Sequence, residues 1–129
     1  MSDAPKPIVQ ISPAQLKARL DAGEDLFILD VRNPDEFEIC TLSGAVELPL
    51  PQLQHAAQQI AFAGAKAEDT PLGVVPKDKT VVVHCHHGTR SAYAIMMLRE
   101  IGFDADRLLN LDGGIDAWAA EVEPTMARY

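Results

Sequence analysis

The run His84-Cys85-His86-His87-Gly88-Thr89-Arg90-Ser91 concentrates the reactive side chains of this chain. Its cysteine sits directly behind a β-branched stretch, Thr80-Val81-Val82-Val83, and a helical pattern begins a few residues later. A loop so placed can turn successive main-chain N–H groups toward one point, a nest at the start of a helix. Such a nest stabilises a thiolate, and Arg90 adds a full positive charge. Gly88 supplies the tight, positive-φ path that a cradle of this kind needs. No separate general base is required, because fixed dipoles activate the thiol. The chemistry predicted is nucleophilic. Cys85 is the attacking residue, His86, His87, Gly88, Thr89 and Arg90 surround the bound group, and Ser91 adds a hydroxyl donor or a helix cap.

The elements that must hold this loop are legible on either side of it. Thr80 to His84 is the clearest strand, and Ala94, Met97, Leu98 and Ile101 recur at helical spacing before a stop at Gly102. Leu26 to Val31 is a nearly continuous apolar run, the pattern of a strand covered on both faces. Ala45 to Leu48 reads as a short strand closed by Pro49, and Leu108 to Leu111 as the last strand. Gly113-Gly114 then turns into a closing helix anchored by Trp118. Ser12, Pro13 and Gln15 form a capping-box helix start, with Ile11 stapling onto Leu16 and a stop at Gly23; Asn33-Pro34-Asp35-Glu36 repeats the cap logic. A further helix is predicted from Pro51 to about Ile60, and residues 64–79, rich in turn formers and charge, read as a surface loop. Residues 1–10 form an arm whose Ile8-Val9 is placed to add an edge strand, and residues 11–129 form a single domain. Strands alternating with helices predict an α/β fold, a mainly parallel sheet with helices on both faces. In such sheets ligands bind beyond the carboxyl ends of the strands, which is where Cys85 falls.

Composition narrows the function classes. Across 129 residues the net charge is −8, which argues against a nucleic-acid or anionic-membrane partner, since either requires a basic face. No apolar run approaches the ~20 residues of a membrane span, and Met1 to Pro5 carries no signal-peptide core, so a cytoplasmic protein is expected. Cys40 and Cys85 are too few for a disulfide scaffold and make no CxxC pair. Cys40, beside Ile39 and Leu42, reads as a small buried hydrophobe; a Cys40–Cys85 disulfide stays open at this level. The histidines beside Cys85 resemble a metal cluster, but adjacent side chains rarely converge on one ion and no second pair is spaced to complete it, so no metal is expected. His84 is predicted to point away from the loop as a satisfied strand-end residue, and His86 and His87 to tune the loop's charge near neutral pH. Asp30 is expected to accept hydrogen bonds from the neighbouring loop in a supporting role. Arg32 and Glu36, four apart at a helix start, are placed to form an ion pair of small net value.

Four segments in order resemble the rhodanese-like sulfurtransferases, from about Ile11 to Tyr129. They are Leu29-Asp30-Val31-Arg32-Asn33-Pro34-Asp35-Glu36-Phe37, then Gly44-Ala45 with Leu48-Pro49, then Cys85 through Arg90, and Leu111-Asp112-Gly113-Gly114-Ile115-Asp116-Ala117-Trp118. The resemblance implies a five-stranded α/β domain and a Cys85 that carries sulfane sulfur as a persulfide, taken from a small donor such as thiosulfate or a persulfide. It implies no metal and no organic cofactor. Cys40-Thr41 stands where many members have Gly-His, and His86 and His87 stand where thiosulfate-using members often have more strongly basic residues. The closing residues Glu121 to Tyr129 resemble the tail of rhodanese domains fused behind ubiquitin-activating-like adenylyltransferases. That likeness implies a sulfur-carrier protein or an adenylyltransferase as a partner in trans. Two rivals remain: a phosphatase or arsenate reductase with a Cys…Arg anion loop, and a non-catalytic partner-binding module. Cys85 and Arg90 enclose four residues. In the family this loop length goes with sulfur, whereas the related cell-cycle phosphatases have one residue more.

Overall fold

The computed structural model describes residues 6–129; residues 1–5 of the N-terminal arm lie outside the described residues. The elements follow in the order β1 (Val9–Ile11), α1 (Pro13–Asp21), β2 (Phe27–Asp30), α2 (Pro34–Ile39), β3 (Val46–Glu47), α3 (Leu50–Ala63), β4 (Val81–His84), α4 (Thr89–Glu100), β5 (Leu108–Leu111) and α5 (Gly114–Glu121). The five strands form one sheet in the order β1-β5-β4-β2-β3, and every pairing is parallel. The arm does supply an edge strand, β1, paired with β5.

Period-two alternation sorts the strand residues between two apolar layers. Leu29, Val81, Val83 and Leu108 pack with Leu53 and Ala56 of α3 and with Ala94, Ile95 and Leu98 of α4. Ile28, Val82, Leu109 and Leu111 face the other way, onto Leu16 of α1 and Ile115 and Trp118 of α5. This double cover explains why the strands read as continuous apolar runs. None of the helices among the described residues is long and apolar enough to cross a membrane.

Local signals set the helix ends. At α1 the Ser12 hydroxyl accepts the Gln15 N–H at 3.1 Å while the Gln15 side chain accepts the Ser12 N–H at 2.9 Å. Glu36 likewise reaches back to accept the Asn33 N–H at 3.1 Å. Helix α3 outruns its sequence estimate and stops at Gly64, which takes a φ of 71°.

Residues 64–79 depart from the expected surface loop. They hold two short 3-10 turns, Ala67–Asp69 and Pro71–Val74, which carry Leu72 and Val75 into the α3–α4 core layer. Thr70 fixes the turn, donating to the Ala67 carbonyl at 2.8 Å and accepting the Leu72 N–H at 3.1 Å. Turn formers and charges mask this in the sequence, because only two apolar side chains carry the packing.

Leu72 is fully buried, so Leu72→Ala should lower the unfolding free energy by ~2–5 kcal/mol, read by urea titration. A loss under ~0.5 kcal/mol, the range of a surface substitution, would contradict the core assignment.

Candidate active site

Cys85 follows directly on β4, at the carboxyl edge of the sheet, where the chain must leave the strand and enter α4. Gly88 makes the turn possible, with a φ of 112° that an L side chain rarely adopts. The turn folds the loop back on its own sulfur. The Gly88 N–H donates to Cys85 Sγ at 3.1 Å, and the Ser91 N–H, in the first turn of α4, lies at 3.4 Å. The Ser91 hydroxyl lies 3.4 Å from the sulfur as well.

Behind the loop, Asn110 of β5 acts as a brace. Its amide donates to the Gly88 carbonyl at 3.2 Å, and its oxygen accepts the Ser91 hydroxyl at 2.5 Å. Asn110 is absent from the sequence prediction, although a lone polar residue in Leu-Leu-Asn-Leu was a usable signal. The N-terminus of α5 is the second brace. The Ile115 N–H donates to the Cys85 carbonyl at 2.9 Å and the Asp116 N–H to the His86 carbonyl at 3.1 Å. Only glycine fits between them: a Cβ on Gly114 would stand 2.3 Å from the His86 carbonyl oxygen.

Charge is distributed differently from the sequence expectation. Arg90 does not offer a free guanidinium to the loop. It holds the Glu36 carboxylate by a two-point contact, at 2.5 and 2.9 Å, while staying within Coulombic reach of Cys85. The Arg90 contact is the main reason the Glu36 carboxyl is held down to about 2; burial opposes it, and the Tyr129 hydroxyl helps. Arg32 does not pair with the Glu36 carboxylate either. Its guanidinium, fully buried, grips Asp30 from Nε and at 2.6 Å from Nη2, and donates to the carbonyls of Glu36 and Cys40 at 3.2 and 2.7 Å. Asp30 also accepts the Arg32 main-chain N–H at 3.0 Å. Sequence spacing suggested the Arg32–Glu36 pair; Asp30 is nearer to Arg32 on the same buried edge, and Arg90 reaches Glu36 from α4.

Tyr129 closes this group. Its hydroxyl donates to Glu36 at 2.5 Å and accepts from Arg32 at 3.0 Å, while its ring stacks on His86 with centroids 3.8 Å apart. Burial pushes the Tyr129 hydroxyl up to about 12, with the Glu36 contact adding to it against the pull of Arg32. Burial likewise holds the His86 imidazole below its ordinary value, with His87 adding to the effect and Asp116 opposing it. His84 is satisfied on one side only: fully buried, it sets Nδ1 3.4 Å from the Cys85 carbonyl, while its Nε2 has no hydrogen-bond partner among the described residues, and burial pushes its pKa down. Cys40 is half-buried rather than core, and both thiols are free. Thr89 is exposed at the start of α4, and His87 is exposed beside Asp116.

The family model for the rhodanese-like domain matches residues 12–121. The chain belongs to the rhodanese-like domain family. It is 35% identical over 120 residues to a probable adenylyltransferase/sulfurtransferase MoeZ of Mycobacterium tuberculosis, covering 92% of this chain and 26% of that protein. The chain therefore spans about a quarter of that relative's length. A sulfurtransferase of Allochromatium vinosum is 32% identical over 118 residues, with 92% of this chain and 94% of the relative covered. A crystal structure of a rhodanese-related protein from Thermoplasma volcanium superposes with a TM-score of 0.68 at 26% identity, covering 90% and 95% of the two chains. This rhodanese-like domain is thus similar to sulfurtransferases, one of which it matches along nearly its full length.

The Glu36–Arg90 pair has a pH signature. A folded-state carboxyl held near 2, against an ordinary value of 4.5, stabilises the fold above pH 4.5, and that contribution drains away as pH falls toward 2. Replacing Glu36 by Gln should cost about 1–3 kcal/mol at pH 7, a deficit that shrinks through this acid window in urea titrations. A deficit independent of pH would contradict the ion-pair account.

Proposed function

We propose that this domain is a sulfurtransferase in which Cys85 carries sulfane sulfur as a persulfide. The observation that carries the reading is the pair of main-chain donors, Gly88 N–H and Ser91 N–H, aimed at one buried sulfur at the start of α4. Main-chain dipoles fixed by glycine geometry and by Asn110 meet an anionic sulfur without reorganising.

The transfer balances without a redox partner. The Cys85 thiolate attacks the outer sulfur of thiosulfate or a small persulfide. An S–S bond forms at Sγ as the donor's own sulfur–sulfur bond breaks, and sulfite or a thiolate leaves with the bonding pair. A nucleophilic acceptor then attacks the outer sulfur, and Cys85 departs as the thiolate. Cys85 is 1% exposed, so the reactive end is the outer sulfur, ~2.05 Å beyond Sγ and nearer the loop mouth. The amides of His86 to Arg90 line that mouth in this reading, Thr89 adds a hydroxyl, and Arg90, held by Glu36, contributes field rather than contact.

The acceptor proposed is a sulfur-carrier protein or an adenylyltransferase, because a relative that this chain matches over 26% of its length is named a probable adenylyltransferase/sulfurtransferase. A reducing compartment such as the cytoplasm suits two free thiols. The phosphatase rival needs room for a tetrahedral oxyanion bonded to sulfur. The four residues between Cys85 and Arg90 fall one short of the phosphatase-type loop, up to ~3.6 Å of contour.

Cys85→Ser should abolish sulfur transfer from thiosulfate, 3-mercaptopyruvate and small persulfides with the fold intact, whereas Cys40→Ser should keep most of it. Turnover of p-nitrophenyl phosphate by the unmodified protein should be negligible. Equal sulfur-transfer rates for wild type and Cys85→Ser, or robust Cys85-dependent phosphatase turnover, would overturn the assignment.

A further inference from the structure

The structure brings Asp116 of α5 to the two histidines that the sequence left without a third ligand. One ring nitrogen each of His86 and His87 and a carboxylate oxygen of Asp116 all lie within 4.8 Å of one another. We propose that His86, His87 and Asp116 form a binding site for a first-row transition-metal ion, Zn²⁺ by its donor set, between the Cys85 loop and the first turn of α5. The proposal is independent of the sulfur-transfer reading.

Three observations carry it. His87 Nε2 and Asp116 Oδ2 stand 3.7 Å apart, too far for a hydrogen bond. The edge of a tetrahedron with metal–ligand bonds of ~2.0–2.2 Å is about 3.3–3.6 Å, close to that separation. His86 Nε2 is buried and has no hydrogen-bond partner among the described residues, an orphan that costs free energy unless something satisfies it. Finally, Arg128 holds Asp116 through Oδ1 alone, at 3.1 Å from Nε and 3.0 Å from Nη2, which turns Oδ2 toward His87. An outer partner that orients a ligating carboxylate is a recurrent part of metal sites.

The scaffold is preformed. Main-chain hydrogen bonds from Ile115 and Asp116 to Cys85 and His86 fix the loop against α5, and Gly114 permits the close approach. Closing the ligand set from its present spread therefore takes about an ångström of side-chain rotation, mainly by His87, which is exposed. Two imidazoles and one carboxylate suit Zn²⁺ and its neighbours rather than Mg²⁺ or Ca²⁺, which prefer all-oxygen sets. The exposed side of His87 leaves the remaining position to solvent.

The test uses the full chain carrying Cys85→Ser, so that no active-site thiol competes for the ion. The metal-free protein is titrated with Zn²⁺ against a chromophoric zinc indicator, and Co²⁺ is added separately to read the coordination geometry from its visible spectrum. The site predicts a single Zn²⁺ per chain, a tetrahedral Co²⁺ spectrum, and no competition by Mg²⁺. Adding Asp116→Asn or His87→Gln should each weaken binding by at least ~10-fold, since even outer-shell changes cost that much. Both residues lie at the surface end of the site, and circular dichroism checks that each variant folds. Absence of stoichiometric Zn²⁺, affinity unchanged by both substitutions, or loss of binding with Cys40→Ser instead would overturn the proposal. None of these outcomes bears on whether Cys85 transfers sulfur.

Discussion

A full positive charge is buried at the carboxyl end of β2, and the neighbouring structure is arranged to satisfy it. Arg32 has no exposed surface, and each N–H of its fork finds an acceptor: Asp30, the carbonyls of Glu36 and Cys40, or the Tyr129 hydroxyl. Burial acts against that charge, yet Asp30 and Tyr129 outweigh it and leave the guanidinium more firmly protonated than usual. Deleting one partner of such a pair typically costs ~3–5 kcal/mol, because the other charge is left buried and alone. The cluster thereby ties β2 to the end of α2 and to the closing residues of the chain. It also sets Glu36, whose carbonyl serves Arg32 while its carboxylate serves Arg90 and Tyr129.

That sharing decides how the Cys85 loop is polarised. With Arg90 committed to Glu36, the groups that touch Sγ are main-chain amides and the Ser91 hydroxyl. An amide donor is neutral, does not titrate, and is fixed by the fold, so it holds an anionic sulfur without a standing charge to desolvate. The braces behind the loop, Asn110 on one side and the α5 N-terminus on the other, keep those donors in place. Gly88 and Gly114 are the positions where the backbone makes this possible, the first by its φ and the second by the 2.3 Å that a Cβ would leave.

Sequence reasoning reached what depends on near neighbours. The Ser12–Gln15 capping box, the β-branched strand ahead of Cys85, and the glycine in the loop all express themselves within a few residues, and the structure has each of them. The parallel sheet followed from alternation, and its five strands from resemblance. Contacts across the fold were not legible. Glu36 meets Arg90 across 54 positions and Tyr129 across 93, and no local spacing announces either. Leu72 was hidden by the turn formers around it, and Arg32 was assigned to the wrong carboxylate because helical spacing was weighed above the strand-edge geometry that favours Asp30.

The central claim is that the buried sulfur of Cys85 carries a second sulfur. Anaerobic mass spectrometry of the intact chain, after exposure to a sulfane donor and removal of the excess, tests it most directly. The account predicts a gain of one sulfur atom, mapped by peptide analysis to Cys85, removed by a thiol reductant and absent from Cys85→Ser. An adduct on Cys40 alone, or an unmodified chain after reaction with thiosulfate, 3-mercaptopyruvate and a small persulfide alike, would contradict it.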